Sequence, residues 1–312
     1  MIYPLTITLL ASTLALAACG PSTQGRGTAL VPWSAAPAGG GTHGKSWMLP
    51  EAKSKNLIYL VAGSSVLVYS YAGKRVGDLE PFNSPGLCSD PQGDVWITNE
   101  DQISEYAHGG TTPIAELTPP PPFQAISCAV DPTTNDLAVT LDHSGYPNEV
   151  AVYQNASGAP QTYTDSEGAA FTYCAYDNAG NLYVDGRNGS TASLAELPSG
   201  GSSLSTLTLS GKLAGPGGVQ WEGQYLAVGD DHNNVVYQVS IASGYGTIEN
   251  TIHFSSWRRR ENYQFWIHDG VIGFIFSRHH FGFWNYPKGG GTARRIAFPY
   301  GTTGGNALSL AP

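Results

Sequence analysis

Polar side chains that could bind a metal ion recur at a similar place after short apolar runs. Asn99, Asp142, Asp185 and Asp230 each follow the start of such a run by a few residues. If the runs are equivalent strands of a repeated unit, these four side chains should converge. Carboxylate and amide oxygens are the ligands that Ca²⁺ prefers, and it takes about six to eight of them. The pattern predicts a site for Ca²⁺ or another divalent cation, and the alternative is that the residues are solvated or cap strand ends.

Other ionisable residues in the same predicted loops extend this candidate ligand-binding face. They are Glu100, Asp231, His232, Arg258, Arg278 and His279. Arg258 begins a run of three arginines flanked by Trp257 and Tyr263. Arginine beside aromatic rings suits planar anions such as carboxylates, phosphates or sulfated sugars. The alternative is a solvated loop that offsets an acidic surface.

Three cysteines, Cys88, Cys128 and Cys174, occupy equivalent positions in successive units. They could be buried packing residues, or an adjacent pair such as Cys88 and Cys128 could form a disulfide. A disulfide requires Cα atoms about 4.4–6.8 Å apart, and equivalent positions in neighbouring units can lie farther apart than that. A metal or catalytic role is a third possibility, although CxxC spacing and clustered histidines are lacking.

The elements that position these residues form a repeat. Six apolar runs begin 38, 42, 45, 43 and 46 residues apart. Each is preceded by turn residues and followed by a second glycine-containing signature. The runs are "LIYLVA" from Leu57, "VWIT" from Val95, "LAVT" from Leu137, "LYVD" from Leu182, "YLAV" from Tyr225 and "VIGFIF" from Val271.

Nearly every position in these runs is apolar, so both faces of each strand must be covered. A period of about 40–50 residues with several strands per unit is typical of a β-propeller. We therefore predict an all-β, six-bladed propeller with four-stranded antiparallel blades. In the second unit, "GLCSD" is expected to be the innermost strand, followed outwards by "DVWITN", "QISEYA" and "TTPIAEL", with "DPQG" and "HGG" as turns.

The phrases "SWMLPEAKSKNLIYLV", "NASG" and "PGGVQW" extend this interpretation. With the repeat, they resemble the NHL, YVTN and gluconolactonase-like group of propellers, and are most similar to uncharacterised bacterial propeller lipoproteins. The resemblance implies that a Glu, an Asn and an Asp could hold a central divalent metal, with an Asp as base. The expected Glu at the start of the first blade is missing. The His…Glu-x-His pattern of streptogramin-lyase-like propellers is also absent.

Closure of the ring has two possible forms. The C-terminal "NALSL", residues 306–310, repeats the inner-strand pattern and could complete the first blade. Such closure would remove the open edges between chain ends. The alternative inner strand is Ser46 to Leu49, with the C-terminal tail lying at the periphery or in a seventh partial blade.

Composition supports an all-β protein and argues against one class of partner. The chain has 39 glycines and 21 prolines, and only 12% of its residues are charged. This favours strands and turns over amphipathic helices. The formal net charge of −9 argues against a nucleic-acid partner, because phosphate binding needs a basic face.

The N-terminal segment predicts export. Residues 1–18 carry no charge and form a long apolar run, as a secretory signal does. "LAAC", ending at Cys19, resembles the lipobox of bacterial lipoproteins, which implies lipid attachment at Cys19. A plain cleaved signal and an uncleaved anchor are the alternatives. Residues 19–45 read as a flexible tether rich in small residues, and residues 46–312 as the propeller.

These features predict an exported, lipid-anchored protein that faces the periplasm or the cell surface and contacts the membrane only through its lipid. We expect a monomer that binds a protein, small-molecule or glycan ligand through its loop face without catalysis. One alternative is a divalent-metal-dependent hydrolase of the lactonase type. Another is a structural component of a cell-envelope assembly, since a propeller fold does not determine function.

Overall fold

The fold is a ring of six antiparallel sheets, as seen in a computed structural model that describes residues 45–80, 82, 86–143, 148–164, 169–189, 191–255, 264–299, 301 and 305–312. Within these residues the regular structure is strand, apart from two short 3₁₀ turns, Pro50–Ser54 and Gln154–Ala156. In chain order the strands are β1 (Trp47–Met48), β2 (Leu57–Ala62), β3 (Ser65–Ser70), β4 (Arg75–Leu79), β5 (Gly86–Ser89), β6 (Val95–Asn99), β7 (Gln102–Tyr106), β8 (Pro113–Leu117), β9 (Gln124–Val130), β10 (Leu137–Asp142), β11 (Glu149–Tyr153), β12 (Gln161–Tyr163), β13 (Ala170–Tyr176), β14 (Leu182–Asn188), β15 (Thr191–Leu197), β16 (Ser205–Thr206), β17 (Thr208–Leu209), β18 (Pro216–Trp221), β19 (Leu226–Asp230), β20 (Val235–Ala242), β21 (Tyr245–His253), β22 (Phe265–His268), β23 (Val271–Ser277), β24 (His280–Asn285), β25 (Arg294–Ala297) and β26 (Asn306–Ser309).

Each sheet is one blade whose core is four antiparallel strands. From the axis outwards the blades are β26-β2-β3-β4-β1, β5-β6-β7-β8, β9-β10-β11-β12, β13-β14-β15-β16, β18-β19-β20-β21-β17 and β22-β23-β24-β25, numbered here blades 1 to 6. The predicted propeller and the predicted strand order of the second unit are confirmed. Blades 1 and 5 add a fifth outer strand that the sequence repeat did not indicate, and β17 pairs with β21 in parallel.

The second strand of each blade is buried on both faces. All six residues of β2 are buried, and so are the central residues of its counterparts β6, β10, β14, β19 and β23. Their side chains belong to six apolar clusters, each of which lies between two neighbouring blades. Burial on both faces accounts for the unbroken apolar runs, since alternation is needed only where one face meets water.

The two ends of the chain meet in blade 1. Strand β26 pairs antiparallel with β2 as the innermost strand, with Leu57 opposite Ser309. Strand β1 pairs with β4 at the outer edge. Closure by the C-terminal segment is therefore confirmed, and the alternative with Ser46 to Leu49 innermost is wrong. Gly77 of β4 lies opposite Met48 of β1. Glycine at position 77 permits this pairing, because a Cβ at residue 77 would collide with the Met48 side chain.

A buried histidine holds the closing strand to blade 2. His108 lies with Nδ1 2.6 Å from the Ser309 hydroxyl and with Nε2 3.0 Å from the Lys55 carbonyl oxygen. The Ser309 hydroxyl also contacts the Gly93 carbonyl oxygen. These contacts link both chain ends to the second blade.

Two neighbouring inner strands are joined covalently. Cys88 of β5 and Cys128 of β9 form a disulfide with a Cα–Cα distance of 5.6 Å. Inner strands converge on the axis, so equivalent positions in adjacent blades come within bridging distance. Cys174 remains a free, buried thiol, and its burial raises its pKa, as expected of an inert packing residue.

The ring has two different faces. The turn face carries the hairpin turns between first and second strands and between third and fourth strands. The loop face carries the connections between second and third strands and those between blades. Within the described residues there is no helix long and apolar enough to cross a bilayer.

Candidate functional site

Polar side chains on second strands link neighbouring inner strands beneath the loop face. The Thr98 hydroxyl lies 3.2 Å from the carbonyl oxygens of both Gly86 in its own blade and Ile126 in blade 3. The Thr140 hydroxyl donates to the carbonyl oxygen of Thr172 in blade 4 at 2.9 Å. The contacts with Ile126 and Thr172 satisfy inner-strand carbonyl groups that face the preceding blade.

Asp185 makes the corresponding link between blades 4 and 5. Its fully buried carboxylate accepts hydrogen bonds from the amides of Tyr173 and Gly217, both at 2.8 Å. Burial raises the pKa of Asp185 well above its ordinary value, and the two amides oppose this rise. Both oxygens of this predicted metal ligand already have backbone partners.

The Asp230 carboxylate also has its hydrogen-bond partners already, all within its own blade. The carboxylate is fully buried and accepts hydrogen bonds from the Ala214 amide at 2.9 Å and from the Asn233 amide at 3.0 Å. The Asn233 side chain donates a further bond at 2.9 Å. Asp230 therefore stabilises the turn that follows β19.

The structure does not bring the three predicted aspartate ligands into one cluster. Asp185 is three residues into its strand, Asn99 and Asp230 are four residues in, and Asp142 is five residues in. Successive side chains of a strand point to opposite faces, so an offset of one residue directs a side chain to the other side of the blade. Among the described Asp, Glu, His and Cys residues, the group whose ligand atoms lie within 4.8 Å of one another consists of Asp90, Asp94 and Glu105. None of these is one of the predicted ligands. Asp142, Asp185 and Asp230 do not form such a cluster, and the predicted cation site stays a prediction.

The remaining loop-face candidates are dispersed and mostly exposed. Exposed side chains include Glu100, Asp142, His232, Arg278 and His279, whereas Asp231 is half-buried. Asn99 and Glu100, with Asp101, border a groove of about 430 Å³ beside a proline-rich loop, residues 118–124. Arg258 and the lipidation candidate Cys19 lie outside the described residues.

A cavity of about 360 Å³ lies on the propeller axis. It is lined by residues of all six inner strands. One lining residue from each strand lies at the turn-face end, and these six are Asp90, Val130, Tyr176, Trp221, His268 and Leu310. Each of these lies at or directly after the last residue of an inner strand. The cavity therefore extends to the turn face, opposite the face predicted from the sequence.

The Gln264 side chain narrows the other end of this axial cavity. From blade 6 its amide nitrogen reaches the Leu87 carbonyl oxygen of blade 2, and its amide oxygen accepts from the Asn306 amide of blade 1 at 3.3 Å. These partners lie towards the loop-face ends of their strands. The Gln264 side chain thus bridges three inner strands above the cavity.

The cavity wall is rich in aromatic residues and poor in charge. Tyr173 and Tyr176 come from blade 4, Trp221 from blade 5, and Trp266 from blade 6. The only carboxylate among the described lining residues is that of Asp90, and neither lysine nor arginine lines the cavity. In the described part of the chain, three buried polar atoms of lining residues have no hydrogen-bond partner, namely Asn306 Oδ1, Trp221 Nε1 and Trp266 Nε1.

Acidic residues recur at the turn-face ends of the inner strands. Five blades place a carboxylate immediately after the inner strand, at Asp90, Asp131, Asp177, Glu222 and Asp269. The repeated "DPQG"-like phrase contained this signal, but it predicted only turn chemistry. Asp90, Asp131 and Asp177 do accept bonds from amides of their own turns, whereas Glu222 instead accepts a bond from the Gln238 side chain at 2.6 Å. We call these five residues the acidic ring.

A cluster of three carboxylates adjoins the acidic ring. Oxygens of Asp90, Asp94 and Glu105 lie within 4.8 Å of one another. Burial, with the charges of Asp90 and Asp94, raises the pKa of Glu105 to about 7. A proton held on Glu105 relieves the repulsion between these groups near neutral pH.

The comparisons with known proteins show the propeller fold. No protein-family model matches the chain, and no curated protein matches it. A chain of a nidogen/laminin complex is similar with a TM-score of 0.61 at 12% identity over 82% of this chain and 99% of that chain. A Bacteroides caccae protein of unknown function gives 0.60 at 11% identity, with the same coverage of both chains.

A streptogramin B lyase gives a TM-score of 0.50 at 13% identity, covering 78% of this chain and 74% of that chain. At such identities the likeness concerns the fold alone. The predicted membership of the propeller group is confirmed at this level. The resemblance to bacterial lipoproteins stays a prediction.

Proposed function

We propose that this protein is a non-catalytic binding propeller that holds a small molecule in its axial cavity. The observation that carries this proposal is the aromatic-lined cavity of about 360 Å³ that opens at the turn face. Its volume falls in the range of about 300–1,000 Å³ that small-molecule sites occupy. Concave sites with aromatic walls and a few polar groups are the usual form of a ligand pocket.

Two observations favour binding over hydrolysis. Asp185 and Asp230, which a lactonase-type metal site would need, already accept backbone hydrogen bonds. The axial cavity is lined mainly by aromatic and apolar residues with a few polar groups, which suits retention of a ligand.

Native mass spectrometry tests the binding function. Purified protein is incubated with a low-molecular-weight extract of the source cells, and the mass of any retained adduct is read. We expect an adduct on the wild type and on Tyr245→Leu, which removes an exposed ring from the outer part of blade 5. Trp221→Leu should lose the adduct. An extract that yields none, or an adduct unaffected by Trp221→Leu, would contradict the proposal.

The cell location is proposed as extracytoplasmic, with lipid attachment at Cys19. "LAAC" at residues 16–19 supports this, and so does the Cys88–Cys128 disulfide, because disulfides persist mainly in oxidising compartments. Cys19→Ser should move the protein from the membrane fraction to the soluble fraction. Unchanged membrane retention would count against the anchor.

A further inference from the structure

The two sides of the axial cavity differ in chemistry. Blade 2 contributes Asp90, and blade 5, which lies opposite in a ring of six, contributes Trp221. Tyr176 extends the aromatic side into blade 4. The negative face of an aromatic ring attracts cations, and tryptophan does so best.

The turn face adds negative charge near this wall. The acidic ring places carboxylates on five of the six blades, and Asp269 has a side chain that is 86% exposed. The exposed lysines of the turn face, Lys53, Lys55, Lys74 and Lys288, do not line the cavity. Clefts edged by one sign of charge focus the field and concentrate the oppositely charged ligand.

The Asn306 side chain is part of the cavity wall at its loop-face end. Asn306 is 2% exposed, lines the cavity, and has no partner for its Oδ1 acceptor. Its side-chain nitrogen is already used, since it donates to the Gln264 carbonyl oxygen at 2.6 Å. This buried amide closes the wall at the end of the cavity opposite Asp90.

From these observations we infer that the axial cavity binds an organic ammonium ion. This inference rests on the proposed binding function and adds the class of ligand. An anion would have to lose its hydration beside Asp90. An uncharged molecule could stack on the aromatic rings but would gain nothing from the carboxylates.

Calorimetric titration with matched pairs of probes tests the charge preference. One pair is choline and its uncharged isostere, in which carbon replaces the quaternary nitrogen. The other pair is glucosamine and glucose. In at least one pair the cation should bind roughly tenfold tighter or more. About 1 M NaCl should reduce this preference, because salt screens exposed charges.

Variants locate the binding. Asp269→Asn changes an exposed side chain, and we expect it to weaken binding of the cation severalfold while leaving the uncharged partner unaffected. Trp221→Leu should weaken both members of a pair. Glu116→Gln and Tyr245→Leu, on exposed positions of outer strands, are the matched controls and should bind as the wild type. Circular dichroism confirms that each variant is folded.

The outcomes separate the ligand class from the binding function. An uncharged partner that binds as tightly as its cation in both pairs would overturn the ammonium assignment and leave the proposed function intact. Cations that fail to bind at millimolar concentration would also overturn it. The adduct experiment above decides the function independently, because it uses no chosen probe.

Discussion

Removing the disulfide between blades 2 and 3 should cost the propeller about 4 kcal/mol of unfolding free energy. The bridge joins residues that are 40 positions apart, Cys88 and Cys128. For a loop of this length, the chain-entropy relation gives about 13 cal/mol/K, or about 4 kcal/mol at 25 °C. The double variant Cys88→Ala/Cys128→Ala is suitable because Cys128 is 3% exposed and a serine there would bury a hydroxyl.

The assay is urea unfolding followed by tryptophan fluorescence, with wild type and variant compared under oxidising conditions. Cys174→Ala is the matched control, since it removes a buried sulfur that closes no loop. The double variant should be less stable than this control by several kcal/mol, and reduced wild type should approach the double variant. If the double variant unfolds with no greater loss than Cys174→Ala, the cross-link does not restrict the unfolded chain and the reasoning is refuted.

Three further predictions concern the contacts between blades and the carboxylate cluster. Asp185→Ala leaves two buried amides without acceptors and should cost roughly 2–6 kcal/mol in urea unfolding, and a loss below that of Asp142→Ala would contradict the link between blades. Gly86→Ala should lower the free energy of unfolding, because a Cβ there collides with the Ile126 carbonyl and the Thr98 hydroxyl. Gly63→Ala is the control: its Cβ has open space, so its loss of stability measures only the strain of a positive φ. The pKa of Glu105 in the folded protein is raised from 4.5 to about 7, so its favourable contribution to stability is full below about pH 4.5 and is lost as pH rises through about 7. The melting temperature of Glu105→Gln should therefore exceed that of wild type at pH 8 and not at pH 4. A difference that is the same at both pH values would contradict the raised pKa.

The repeated architecture was predictable because its cause is local. A strand such as β6 that is buried on both faces must be apolar at nearly every position. The run "VWIT" in β6 has this composition, and all four of its residues are buried. The hairpin turns likewise need particular residues for their backbone angles, and Gly93, with φ +88°, is one of them. Each blade repeats the same local requirements, so the period and the strand order follow from one sequence.

The candidate site was not predictable in the same way, because it depends on register between distant segments. Asn99 and Asp185 look equivalent in the aligned runs, yet they differ by one position in their strands and point to opposite faces. The loop-face end of the axis is narrowed by Gln264, whose partners in blades 1 and 2 are 42 and 177 residues away in the chain. Nothing near Gln264 in the sequence signals either contact.

The sequence by itself determined six sheets with doubly buried second strands, since burial of those strands dictates which residue types they contain. It also determined that five blades carry an acid after the inner strand. The tertiary structure decided which chain end closes the ring, which cysteines meet and which end of the axis stays open. Those outcomes depend on distances between inner strands that come together only when all six blades have packed around the axis.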